Sequence, residues 1–128
     1  MIPATSFIEW QKKDKEKQPF EIEPIDDSFL FAAIWERWQK DDQEIFSCSI
    51  LTTESVASFS HIHHRQPVML NVSNAIKWLS IETKADELKE LTLPSLPTSL
   101  AITPISTSTN NARNKQLSEK IGESRIIE

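Results

Sequence analysis

Three histidines fall within four positions of the stretch Ser60–Leu70, SHIHHRQPVML: His61, His63 and His64. Imidazole is a common metal ligand, and it also titrates near neutrality and moves protons when a partner orients it. As metal ligands, His61 and His63 would share one side of a strand, a spacing that zinc sites use. Two further ligands are then required. The single cysteine, Cys48, lies in a strand pattern that buries it, and there is no second histidine cluster. The residues are therefore read as holding no metal and calling for no cofactor. As a catalyst, a histidine needs a carboxylate or a nucleophile near it in space. Glu9, set between Ile8 and Trp10 on a β-prone segment, is such a carboxylate, because partial desolvation there favours proton transfer. The alternative remains open that the histidines pack or face solvent and that Glu9 points to the solvent side, which strand alternation equally permits.

The elements that must position these residues begin with FIEW, short and β-prone, followed by the charge-alternating run QKKDKEKQ, read as an exposed hairpin connection. PFEIEPI alternates apolar and acidic residues as a half-buried strand does. DDS is turn chemistry. FLFAAIWERW predicts a buried central strand with Phe29, Phe31, Ala33 and Trp35 on one face, and EIFSCSILTT a further strand with Phe46, Cys48 and Ile50 on one side. The first half thus reads as a β-meander. ESVASFSHI then predicts a short helix, VSNAIKWLS a Ser- or Asn-capped helix with Ala75, Ile76 and Leu79 on one face, and TKADELKELTL a charge-rich helix. Prolines end it, LAITPIS is a last strand, and TSTNNARNKQ is a polar loop. Strands, then helices, then a strand predict an α+β fold.

At 128 residues the chain holds one domain, here bounded at 1–116 with a loosely held tail at 117–128. With 38% hydrophobic and 26% charged residues it has the composition of a soluble globular protein. No apolar run approaches a membrane span, and one cysteine fits a reducing cytoplasm. A net charge of −5 excludes a broad nucleic-acid-coating surface but leaves room for a local cationic groove. The sole glycine, Gly122, leaves Asn, Asp and Ser to carry the tight turns.

Taken in order, IPATSFIEWQKK, KQPFEI, FLFAAIWERW, SILTTES, HIHHRQPVML and TPISTSTNNARN resemble the SOS-response-associated peptidase (SRAP) family, also called abasic site processing proteins. The family pattern runs roughly Pro-Ala-x-Gly-Phe-Tyr-Glu-Trp, Ala-Gly-Leu-Trp-Glu, Thr-Thr, Ile-His-x-Arg-Met-Pro, and Pro-Val-Ser before an Asn-rich loop. The resemblance implies a mixed, mainly antiparallel, barrel-like β structure with flanking helices. It implies binding of single-stranded DNA and covalent capture of abasic sites in the DNA damage response, by a protein in the cytoplasm at the nucleoid. The family's nucleophile is an N-terminal cysteine whose amine and thiol close on the sugar aldehyde as a thiazolidine. Its exposure by self-processing gives the peptidase name. By position, Glu9 and His63 match the proton-transfer pair, which therefore share one groove. Thr52, Thr53, Arg65, Ser106, Asn111 and Arg113 match positions toward the DNA, Trp10 either offers a base-stacking face to it or packs in the core, and His61 and His64 are bystanders.

The departures from the pattern carry expectations of their own. The family's leading segment, with its cysteine, has no counterpart in these 128 residues, and Met1 is followed by Ile2, which keeps the initiator methionine in place. Cys48 is internal and lacks the α-amine that a thiazolidine needs. Ser6, Ile8 and Gln66 replace the motif Gly, Tyr and Met. The chain is thus expected to be an incomplete SRAP domain, unable to crosslink alone. The alternative is a non-catalytic single-stranded DNA-binding module, completed by a separate N-terminal SRAP segment.

Overall fold

Alternating apolar and polar residues give the first half its strands: β1 (Ile2–Ala4), β2 (Phe7–Lys13), β3 (Glu16–Pro24), β4 (Phe29–Phe31), β5 (Ala33–Lys40) and β6 (Gln43–Ile50). Three shorter ones follow, β7 (Thr52–Glu54), β8 (Arg65–Pro67) and β9 (Met69–Leu70). The helices α1 (Val72–Leu79) and α2 (Ala85–Leu91) come next, then β10 (Leu100–Pro104), a 3₁₀ turn (Thr107–Asn110) and β11 (Arg125–Ile127). This computed structural model describes residues 1–26, 28–114 and 118–128. Asp27, in the turn expected after Ile25, and the boundary drawn between residues 116 and 117 lie outside the described residues.

All strand pairings among the described residues are antiparallel, and with two helices the architecture is α+β. One sheet has the order β11-β10-β3-β2, a second β1-β4-β9, and two ribbons, β5-β6 and β7-β8, complete the set. Within the segment 117–128, Arg125, Ile126 and Ile127 pair with Ile102, Ala101 and Leu100, and Ile127 is buried. The main core joins Ile22, Phe29, Phe31, Phe59, Leu100 and Ile102. Phe7 enters it edge-on, its ring centroid 5.4 Å from that of Phe29 and 5.7 Å from that of Phe31. Aromatic pairs in this geometry stabilise beyond their buried area.

Three expectations need correction. The charged run after Trp10 is no mere connection: β2 and β3 continue through it to a turn at Asp14 and Lys15. Asp14 there has φ 55° and Asp41, in the β5–β6 turn, φ 52°. This left-handed region is one that Asp tolerates better than most residues, so aspartates do the work glycine does elsewhere.

FLFAAIWERW is likewise two strands. At Ala32 the chain changes partners, its N–H donating to the Val68 carbonyl and its carbonyl accepting from Leu51 N–H, both at 2.9 Å. Before it, β4 is held between β1 and β9. After it, β5 pairs only with β6 among the described residues. Phe29 and Phe31 are therefore buried, whereas Trp35 is 72% exposed and Cys48 is exposed as well.

The stretch after Glu54 is a series of turns rather than a helix, closed by Phe59 N–H and Ser60 N–H on the Val56 carbonyl. α1 forms where the sequence predicts, capped by the Asn71 side chain accepting from Asn74 N–H at 2.8 Å. Its inward residues are Ala75 and the half-buried Trp78, while Ile76 and Leu79 are exposed.

Candidate functional site: the groove beside the first hairpin

β2 is the last strand of its sheet, and side chains alternate along it. Phe7, Glu9 and Gln11 share one face. Phe7, half-buried, packs against the core aromatics. Gln11 Nε2 donates to the His61 carbonyl at 2.7 Å. Glu9 lies between them, half-buried, its Oε1 accepting from the Trp10 backbone N–H at 2.9 Å. Trp10 takes the other face, and its indole Nε1 donates to Asn110 Oδ1 at 2.7 Å.

The histidine segment is held from beneath by Phe59 and Ile62, both buried. Ser55 Oγ donates to the His63 carbonyl at 2.7 Å, and Ser55 N–H to the His64 carbonyl at 3.1 Å. His63 Nδ1 sits 3.2 Å from the Arg65 N–H and 3.1 Å from its carbonyl. The same backbone thus fixes the ring in either tautomer. The His63 and His64 rings are 4.4 Å apart. No strand runs through His61–His64, so these residues do not display the strand alternation on which a shared face was based.

Glu9 and His63 line one groove of about 1290 Å³. Trp10 and Asn110 line it too, together with Lys12, Lys13, Lys15 and Lys17 of the hairpin. Against these four cations the lining sets only Glu9 and Glu16, so the groove is locally positive on a chain whose net charge is −5. Such a local excess draws anions toward it.

The other expected residues lie elsewhere. Arg65 Nη2 donates to the Thr52 carbonyl at 2.6 Å and to Thr52 Oγ1 at 2.8 Å, a pairing across β7 and β8 that also carries Thr53. Ser106 Oγ accepts from Ser108 N–H at 3.2 Å at the start of the 3₁₀ turn. At its other end Asn111 Oδ1 accepts from Arg113 N–H at 3.1 Å, and Arg113 is exposed. None of these six lines the groove. Asn110, one position before Asn111, does, and sequence reasoning passed over it because both fit an Asn-rich loop. Gln66 is buried and bonded at both ends of its amide, accepting from Val56 N–H at 2.9 Å and donating to the Ser95 carbonyl at 3.0 Å. It holds the turns that precede His61.

Among the described residues no three His, Cys, Asp or Glu side chains converge as metal ligands, and no helix is long and apolar enough to cross a membrane. Fold and groove together define an α+β protein with a carboxylate, an imidazole, an indole and a lysine-rich hairpin around one cleft. The chain belongs to the SOS response associated peptidase (SRAP) family, matching it over residues 1–112. It is 32% identical to the abasic site processing protein YoqW of Bacillus subtilis (strain 168), over 89% of this chain and 53% of that one. It is 30% identical to the abasic site processing protein HMCES of Gallus gallus, over 89% of this chain and 40% of that one. A crystal structure of a Bacteroides thetaiotaomicron protein, structural genomics target BtR8, shares the fold with a TM-score of 0.77 at 26% identity. That match covers 87% of this chain and 51% of the other. The chain spans about half the length, or less, of the curated relatives it matches.

Proposed function

We propose that this chain contributes the DNA-facing groove of an abasic site processing protein, with Glu9 and His63 as its proton-transfer pair. The observation that carries the reading is that Glu9 and His63, far apart along the chain, line the same positively charged groove. Single-stranded DNA with an abasic site fits it chemically. The lysines neutralise phosphates, and the Trp10 ring offers a stacking face worth about 1–3 kcal/mol per base. At an abasic sugar, ring opening moves a proton from the C1′ hydroxyl to the ring oxygen. An amine, such as a groove lysine, then adds to the aldehyde, and the carbinolamine loses water as a Schiff base. Each step needs a proton delivered and removed. A half-buried carboxylate and an imidazole anchored through Nδ1 supply an acid and a base on one site. Thr52, Thr53, Arg65, Ser106, Asn111 and Arg113 are proposed to contact DNA beyond the groove, along the path of the strand.

A second reading is a groove that binds without reacting, completed by a separate SRAP segment. One placement favours it: Cys48 lies on the β5–β6 ribbon beside Trp35, not in the groove, and is internal. The experiment that separates the two compares the chain with Glu9→Gln and His63→Ala on abasic single-stranded DNA. Chemistry at the groove predicts that both variants bind as the parent does but slow imine formation, read by borohydride trapping. Binding alone predicts equal trapping by all three, since the groove lysines meet the aldehyde without help from Glu9 or His63.

A further inference from the structure

Asn110 makes two hydrogen bonds at once. Its Oδ1 accepts from the Trp10 indole at 2.7 Å, and its Nδ2 donates to the Lys17 carbonyl at 2.9 Å. Trp10 is on β2 and Lys17 on β3, so one amide clamps the end of the 3₁₀ turn across both strands of the hairpin. Trp10↔Pro19 and Lys12↔Lys17 are paired positions of that hairpin, which places the clamp at the level of the groove. The 3₁₀ turn is itself tied to the sheet: Ile105 N–H donates to the Pro19 carbonyl at 3.1 Å, and Gln18 Nε2 donates to the Ile105 carbonyl at 2.9 Å. The backbone leading to Asn110 is therefore bonded to the same hairpin that carries the indole. An indole on an edge strand otherwise rotates about two side-chain torsions, and freezing them on binding costs affinity.

We infer that Asn110 is a positioning residue: it sets the orientation of the Trp10 ring at the groove in the free protein, so that the ring is already aligned for a nucleobase. The inference rests on the single-stranded DNA reading of the groove, but its first readout does not. Aspartate at 110 keeps an oxygen that accepts from the indole and loses the donor to Lys17. Alanine loses both. Phenylalanine at 10 keeps an aromatic face and loses the N–H. These three variants separate the two bonds.

The test uses the 128-residue chain labelled with ¹⁵N, the Trp10 indole N–H being assigned by its disappearance in Trp10→Phe. The resonance moves upfield and loses protection from solvent exchange in Asn110→Ala, and both return toward the parent in Asn110→Asp. Affinity for an intact single-stranded oligonucleotide, read by fluorescence anisotropy, then falls roughly threefold to tenfold in Asn110→Ala, the worth of one hydrogen bond. In a Trp10→Phe background the same alanine change costs less than twofold, because the bond it removes is already gone. Should Asn110→Ala not fold, slow exchange of the Trp10 indole in the parent and its loss in Asn110→Leu decide the matter. An indole resonance unmoved by Asn110→Ala overturns the inference. So does an equal affinity loss in both backgrounds, which assigns Asn110 to holding the hairpin alone. A parent chain that binds no oligonucleotide while the indole shift still responds overturns the DNA reading and leaves the positioning intact.

Discussion

Gln11 reaches across from β2 to His61, its Nε2 donating to the His61 carbonyl at 2.7 Å. This one bond spans the two segments that carry Glu9 and His63. Gln11 shares its strand face with Glu9, and the carbonyl it grips is two residues before His63. A side chain with no chemistry of its own thus ties the strand that carries Glu9 to the segment that carries His63.

Gln11→Leu keeps the bulk of the side chain and removes the donor. The expected loss of stability is about 0.5–1.5 kcal/mol, the net value of one hydrogen bond. Any proton-transfer step at the groove slows by more than binding weakens, because the change separates Glu9 from His63 without removing a cation. Denaturant melts and trapping rates measured together decide. A variant with parental trapping rate shows that the bond does not set the site.

The groove lysines make a prediction about salt. Binding to single-stranded DNA weakens steeply as salt rises, and each lysine that neutralises a phosphate contributes roughly 0.7 to the slope of log K against log salt. Replacing Lys13 and Lys15 together by Gln lowers the slope by up to about 1.4 on that basis. An unchanged slope places the DNA path elsewhere on the surface.

Lys120 gives the pH dependence a direction. Its amine donates to Glu23 at 2.6 Å and lies 3.7 Å from Glu21, and these carboxylates raise its pKa above 10.5. The folded-state pKa exceeds the unfolded one, so the contribution is fully present below 10.5 and is lost as pH rises through the raised value. Lys120 is exposed and Glu23 partly so, and the contribution is therefore small and screened. Lys120→Met is therefore slightly less stable than the parent at neutral pH, and the gap closes only in strong alkali. A gap that closes between neutrality and about pH 9, below the ordinary lysine range, contradicts the assignment.

The β5–β6 ribbon makes the surface adhesive. Trp35 and Phe46 stack with ring centroids 6.3 Å apart on one face, Ile34 and Trp38 occupy the other, and all four are exposed. Apolar surface on both faces of a two-stranded ribbon favours association. Trp35→Ser with Phe46→Ser is expected to raise the solubility limit and reduce binding of a hydrophobic dye, with DNA affinity unchanged. Equal dye binding by parent and double variant locates the sticky surface at another site, such as the exposed Val72, Ile76 and Leu79 of α1.

Most of the strand order was legible because period-two alternation marks it, as in PFEIEPI, and the Asn-capped start of α1 carried its own chemistry. FLFAAIWERW misled for a physical reason. A continuous apolar run is the pattern of a buried strand, yet here the partner exchange at Ala32 turns its second half outward, and nothing local encodes that exchange. Helical spacing of Val56 and Phe59 misled likewise, since tight turns place i and i+3 together as helices do. In the groove, Glu9 was reached from its place between Ile8 and Trp10, and His63 was singled out among the three histidines through the family pattern. Asn110, Gln11 and the lysines were not, because their roles come from hydrogen bonds and proximity between segments 50 or more residues apart for Gln11 and 93 or more for Asn110.

Whether the groove receives abasic single-stranded DNA, and whether a polypeptide of these 128 residues by itself holds it reversibly, is decided by one gel experiment. The chain is incubated with an abasic oligonucleotide at low salt without reductant, and one half is run native, the other after heating in detergent. A thiazolidine needs an amine and a thiol on one residue, and the amine of Cys48, the single cysteine of these residues, is held in a peptide bond. A retarded band is expected in the native lane and free oligonucleotide in the heated one. A heat-stable adduct, or no native retardation at any protein concentration, contradicts this reading.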